Sequence, residues 1–272
     1  MDSRSATTLS DSRLAPVWSA LRAGGRTALI PYLTAGYPDR DTSGAALRAA
    51  DGLADILEVG VPFSDPLADG PTIQRSTFEA LRQGMTLGGT LELIRRAELR
   101  TPVVIFSYLN PILRYGLERF IREADALEVA GVILTDLPAG GDPGVEHALQ
   151  ASPLDLIRLV APTTRAERLA EAVRDAEGFI YLVARLGVTG ASRALADDLA
   201  DSVARVRRAT ALPVAVGFGI STPAQAARVA RLADGVVVGS ALVDALGREG
   251  VAAARGFLAS LRAGLDTPAS VA

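Results

Sequence analysis

The chain has 272 residues, 49% of them apolar, and a net charge of −3, which argues against nucleic acid or a membrane surface as a general partner. It contains no cysteine, so disulfides, thiolate nucleophiles and zinc–thiolate sites are excluded. It also contains no lysine, which excludes a Schiff base, and its one histidine, His147, cannot form a His cluster.

The opening residues are small and polar, without the apolar core of a signal peptide. We expect a disordered tail over 1–9, one folded domain over 10–265 and a short tail over 266–272. The longest apolar runs are too short to span a bilayer, so a soluble, cytoplasmic protein is expected. Leu14, Val17, Trp18 and Leu21 have helical spacing and predict a short helix able to plug the bottom of a barrel. Strand one is predicted over Ala28 to Leu33, a helix over Asp41 to Leu53, and strand two over Ile56 to Val61. A long polar loop follows, reaching Gln74, and then helices over Ser76 to Arg82 and Leu87 to Glu98. Strand three covers Val103 to Tyr108, with Asn110-Pro111 as its turn. The next helix carries Leu117, Phe120, Ile121, Ala124 and Leu127 on one face.

Strand four covers Val132 to Leu134, and the short helix after it, Val145 to Ala151, holds His147 at a solvated position. Strand five covers Leu156 to Val160. Thr164 to Glu167 reads as a capping box. Strand six covers Phe179 to Ala184, and a helix runs over Ala196 to Ala209. Strand seven covers Val214 to Val216, and Thr222-Pro223-Ala224-Gln225 is a second capping pattern. Strand eight covers Gly235 to Val238, ahead of helices over Leu242 to Leu246 and Val251 to Leu261. Strands alternating with helices in eight units predict an α/β fold, a single (βα)8 TIM barrel with an extra N-terminal helix.

Two features of this pattern bear on chemistry. Alternation along strand two puts Ile56, Glu58 and Gly60 on one face. A carboxylate among such residues is costly unless it is paired with a basic group or used. Glycines follow strands six, seven and eight: Gly187 and Gly190, Gly217 and Gly219, and Gly239 before Ser240. They are either plain turn residues or a backbone cradle for an anion, and such barrels bind phosphate after strands seven and eight.

The stretch LEVGVPFSDPLADGPTIQ, from Leu57 to Gln74, closely resembles the signature of the tryptophan synthase alpha chain family. YLTAGYP, YLNPILRYGLERF, GVILTDLP, FIYLVARLGVTG, VGFGISTP and DGVVVGSALV resemble further family stretches, in family order, from about Ala28 to Leu261. The resemblance implies retro-aldol cleavage of indole-3-glycerol phosphate to indole and glyceraldehyde 3-phosphate. It also implies an α2β2 complex in which pyridoxal phosphate belongs to the beta chain, with no cofactor in this one. By position, Glu58 matches the catalytic acid–base and Asp69 the carboxylate facing the indole nitrogen. Tyr181 matches a tyrosine beside the substrate. Tyr32 and Thr34 match substrate-pocket and loop-contact positions, and Gly190, Gly219, Gly239 and Ser240 match the phosphate-binding backbone.

Leu186, Ser192 and the Ala139–Asp142 loop depart from the family pattern. The alternatives are another phosphate-binding enzyme on this scaffold, such as phosphoribosyl-anthranilate isomerase or indole-glycerol phosphate synthase, and a chiefly regulatory subunit. The synthase normally needs a lysine, which is absent here, and retention of Glu58 and Asp69 argues against a purely regulatory role.

Overall fold

The computed structural model describes residues 12–183, 193–217 and 219–266. Its strands are β1 (Ala28–Thr34), β2 (Leu57–Gly60), β3 (Val103–Ser107), β4 (Gly131–Leu134), β5 (Asp155–Val160), β6 (Ile180–Val183), β7 (Val214–Gly217) and β8 (Gly235–Val238). They form one closed parallel barrel, with β1 bonded to both β2 and β8. Strand side chains alternate between two apolar layers, as a period of two requires. Leu57, Val59, Ile105, Val132, Leu156, Leu182, Val216 and Val236 face the helices. Ile30, Ile56, Val104, Ile133, Ile157, Phe179, Ala215 and Val237 fill the barrel.

The helix α1 (Ala15–Ala23) closes the N-terminal end, as its spacing predicts. Leu14, Trp18 and Leu21 join the interior cluster, and the Trp18 ring lies 5.6 Å from that of Phe179. Polar contacts fix this plug. Ser12 Oγ donates to Asp155 Oδ2 at 2.6 Å, and Arg13 Nη1 donates to the Val129 carbonyl at 2.8 Å.

The outer helices are α2 (Arg40–Ala50), α3 (Pro71–Arg82), α4 (Leu87–Ala97), α5 (Leu109–Tyr115), α6 (Leu117–Asp125) and α7 (Pro143–Gln150). They continue as α8 (Ala166–Arg174), α9 (Arg193–Ala209), α10 (Pro223–Ala230), α11 (Ser240–Glu249) and α12 (Val251–Asp266). Three local expectations are corrected. The loop after β2 ends at Gly70, because Pro71 takes the first position of α3, where its missing N–H costs nothing. Asn110-Pro111 is not a turn but lies in the first turn of α5, for the same reason. The Thr164 capping box does not form, because its hydroxyl accepts the Ala161 N–H at 2.9 Å in a tight turn and Arg165 becomes the N-cap. The box at Thr222 and Gln225 does form. His147 is exposed on α7, as expected. No described helix is long and apolar enough to cross a membrane.

Candidate active site

Glu58 sits in the middle of β2, in register with Tyr32 on β1 and Val104 on β3. It is 1% exposed, and neither carboxyl oxygen has a hydrogen-bond partner among the described residues. Of the two options open in the sequence, pairing with a basic residue is therefore not realised among them. Burial without compensation holds its pKa well above the usual carboxyl range, so the neutral acid is favoured.

Three tyrosines line the mouth, two of them beside Glu58 and one beside Asp69. Tyr32 packs edge-on against Phe106, with centroids 5.3 Å apart. A Cβ at Gly60 would come within 2.0 Å of the Tyr32 hydroxyl, so only glycine leaves that ring its place. Tyr181 enters from β6, and a Cβ at Gly217 on neighbouring β7 would lie 2.4 Å from its hydroxyl. Burial raises the pKa of both phenols, and charge on Glu58 and Asp69 adds to the effect, so both remain protonated donors. The third, Tyr108, follows β3; its hydroxyl accepts the Ala68 N–H at 2.9 Å, and its ring lies 5.0 Å from Phe63.

Asp69 lies half-buried on the loop between β2 and α3. Burial raises its pKa to about 6, and a hydrogen bond from Tyr108 opposes the rise. Near neutral pH this carboxyl is mostly ionised, while burial shifts Glu58 toward its neutral form. Two carboxyls held in different protonation states are what paired acid–base and charge-stabilising roles need. Thr34 is buried at the end of β1, where its hydroxyl pairs with Ser76 of α3 at 2.7 Å and also contacts Tyr32.

On the other side of β1 the mouth is built from backbone. Gly219 follows β7 with φ +80°, and Gly239 is the N-cap of α11, whose first residue is Ser240. β7 and β8 are hydrogen-bonded neighbours, so these two glycine turns flank one place on the rim. Gly187 and Gly190, like Leu186 and Ser192, lie outside the described residues. The Ala139–Asp142 loop is held from α7: Glu146 accepts the N–H groups of Gly140 and Asp142 at 3.2 and 3.3 Å and pairs with buried Arg158. No group of three or more metal-ligating side chains occurs among the described residues.

Sequence reasoning gave no role to Tyr108, nor to Gly60 and Gly217 as the spaces for two tyrosines. Gly60 lies in register with Phe106 on β3, whereas Gly217 lies between Val183 and Val237, so only the first carries a signal readable from strand pairing.

The fold and this mouth define a (βα)8 barrel with two carboxyls and three tyrosines gathered at the C-terminal ends of its strands. The model of the tryptophan synthase alpha chain family matches residues 18–262. An Acidiphilium cryptum tryptophan synthase alpha chain is 52% identical over 240 residues, covering 86% of this chain and 87% of that one. One from Gluconacetobacter diazotrophicus is 49% identical over 263 residues, covering 93% and 96%. A solved tryptophan synthase from Mycobacterium tuberculosis superposes with a TM-score of 0.86 at 43% identity, covering 94% of this chain and 99% of that one. The alpha subunit from Legionella pneumophila gives 0.85 at 34% identity, with 94% and 98% covered. The chain belongs to the tryptophan synthase alpha chain family and is a carbon–carbon lyase of tryptophan biosynthesis that cleaves indole-3-glycerol phosphate.

Proposed function

We propose that Glu58 is the acid–base of the retro-aldol cleavage, that Asp69 stabilises the ring nitrogen and that Tyr181 lines the substrate beside them. The observation that carries this reading is the buried Glu58 carboxyl, unpartnered among the described residues and facing the barrel interior next to the Asp69 loop. Neutral Glu58 delivers its proton to indole C3. Positive charge then spreads to the ring N–H, where the Asp69 carboxylate faces it. Glu58, now ionised, takes the proton from the hydroxyl on the carbon attached to C3. The bond to C3 breaks and its electron pair returns to the ring, giving indole and the aldehyde of glyceraldehyde 3-phosphate. Glu58 ends as it began, so one carboxyl serves both proton transfers. The absence of lysine supports acid–base over imine chemistry.

In this reading Tyr32 and Thr34 shape the pocket. The phosphate sits on the backbone of Gly190, Gly219, Gly239 and Ser240, where a helix N-terminus favours an anion. Gly239→Asp should raise KM far more than it lowers kcat, through steric block and like charge. Equal binding by that variant, measured by equilibrium titration with substrate, would move the phosphate elsewhere.

The partner is a beta chain, in an α2β2 complex of the cytoplasm. Pyridoxal phosphate belongs to that chain, and none is assigned here. Three exposed apolar side chains support docking: Leu67 on the Asp69 loop (92% exposed), Phe78 on α3 (62%) and Leu113 on α5 (46%). The test is indole release from indole-3-glycerol phosphate by the purified chain, with and without a beta chain. Absence of cleavage in both conditions would overturn the assignment.

A further inference from the structure

Tyr108 stands between the Asp69 loop and the exit of β4. Its hydroxyl receives the Ala68 N–H at 2.9 Å, one residue before Asp69. Thr135 Oγ1 donates to the Ser107 carbonyl at 3.4 Å. The Thr135 N–H donates to the Ser107 carbonyl at 3.0 Å, and Ser107 Oγ donates to the Tyr108 carbonyl at 2.9 Å. At the backbone end, Tyr108 is the N-cap of α5 but makes no side-chain cap. Asp136 supplies it from another loop: its Oδ1 accepts the Leu109 N–H at 2.7 Å, across 27 positions of sequence. A carboxylate there satisfies an orphan donor and meets the positive end of the helix.

We propose that Thr135 and Asp136 are positioning residues that aim Tyr108, and through it Asp69, at the ring N–H of the substrate. The proposal rests on the reading of Asp69 given above. A cap serving only the fold would fix the start of α5. Here Thr135 also holds Ser107 beside the capped residue, and the hydroxyl of that residue holds the Ala68 N–H next to Asp69, whose carboxyl it also acts on. The other groups facing Asp69 are Tyr32 from β1 and Tyr181 from β6, both of which also feel Glu58. Neither replaces the Tyr108 bond.

The test is indole release by the full chain with its beta chain, across pH, for Thr135→Val, Asp136→Ala, Asp136→Asn, Tyr108→Phe and the Tyr108→Phe/Asp136→Ala pair. Thr135→Val and Asp136→Ala should each lower kcat about tenfold with little change in KM, the size expected for a misaimed group. Both should move the acidic limb of the pH profile upward, because Asp69 loses the bond that opposes its burial. Asp136→Asn keeps an acceptor oxygen and should restore most of the rate. Asp136→Ala should add little on top of Tyr108→Phe, since both act through one contact. Unchanged kcat and an unmoved limb in Thr135→Val, or additive losses in the pair, would overturn the proposal. Should Asp136→Ala fail to fold, Thr135→Val carries the same readouts. Glu58→Gln runs in parallel. Full turnover there would defeat the site assignment itself, whereas its loss beside normal Thr135 and Asp136 variants would defeat only the positioning role.

Discussion

Two buried acids lie at opposite ends of this barrel. Glu58, at the C-terminal mouth, has no hydrogen-bond partner among the described residues. Asp155, at the N-terminal start of β5, accepts from Ser12 Oγ at 2.6 Å and ties the α1 plug in place. Both have raised pKa values, and burial is the first cause in each case. The shift alone therefore does not separate function from structure. What separates them is satisfaction: the acid at the plug has a donor in Ser12, and the acid at the mouth has no partner among the described residues.

The largest expected effect falls on the unpartnered acid. Glu58→Gln should cut indole release by about 10²–10⁴-fold, because the amide can neither give nor take the proton. Its melting temperature should not fall, since no described hydrogen bond is lost. Asp69→Asn should be similarly severe. Near-normal turnover in either variant, measured as indole formed, would remove that carboxyl from the mechanism.

Asp155→Asn should act on stability and leave turnover at pH 7 unchanged. The sign follows from the raised pKa of about 6, against an ordinary value of 3.8. Over that window the folded chain binds more protons than the unfolded one, so stability falls as pH rises from about 4 to about 6. Removing the group should flatten that fall by up to on the order of 3 kcal/mol. Urea melts of both proteins between pH 4 and 7 would measure it, and parallel profiles would break the comparison. Glu177, raised to about 7 by burial beside Asp155, adds a fall of the same sign in both proteins.

Gly217→Ala sharpens the comparison at the mouth. Its methyl group would occupy the place of the Tyr181 hydroxyl, so turnover should drop about tenfold with the fold intact. Wild-type kinetics would show that Tyr181 has room to move without consequence. The smallest effect is expected for Ser12→Ala at the plug. It removes the Asp155 donor and the acceptor for the Leu14 and Ala15 N–H groups, at a cost of about 1 kcal/mol. Activity should be unaffected, and a large activity loss would tie the plug to the site.

Where the sequence was misread, the reason was local ambiguity resolved by neighbours. Thr164 and Thr222 both carry a capping-box pattern, yet only Thr222 has its hydroxyl free for the helix; that of Thr164 is taken by Ala161. Asn110-Pro111 suggests a turn, yet a proline in the first turn of a helix loses no bond, so α5 runs through it. The place of Tyr108 is not legible in the sequence because its partner Ala68 comes from another strand–loop unit.

The sequence by itself determined the barrel, the helix that plugs it and the inward face of Glu58. Those follow from periodicity, which is a property of consecutive residues. It also determined what chemistry is barred, because a chain without lysine or cysteine cannot form an imine or a thiolate. Chain packing settles that Glu58 is unpaired among the described residues while Asp155 is paired, and that Tyr108 holds the loop at Ala68. Those facts depend on which atoms lie within about 3 Å across strands far apart in sequence, the range over which a hydrogen bond is made or missed.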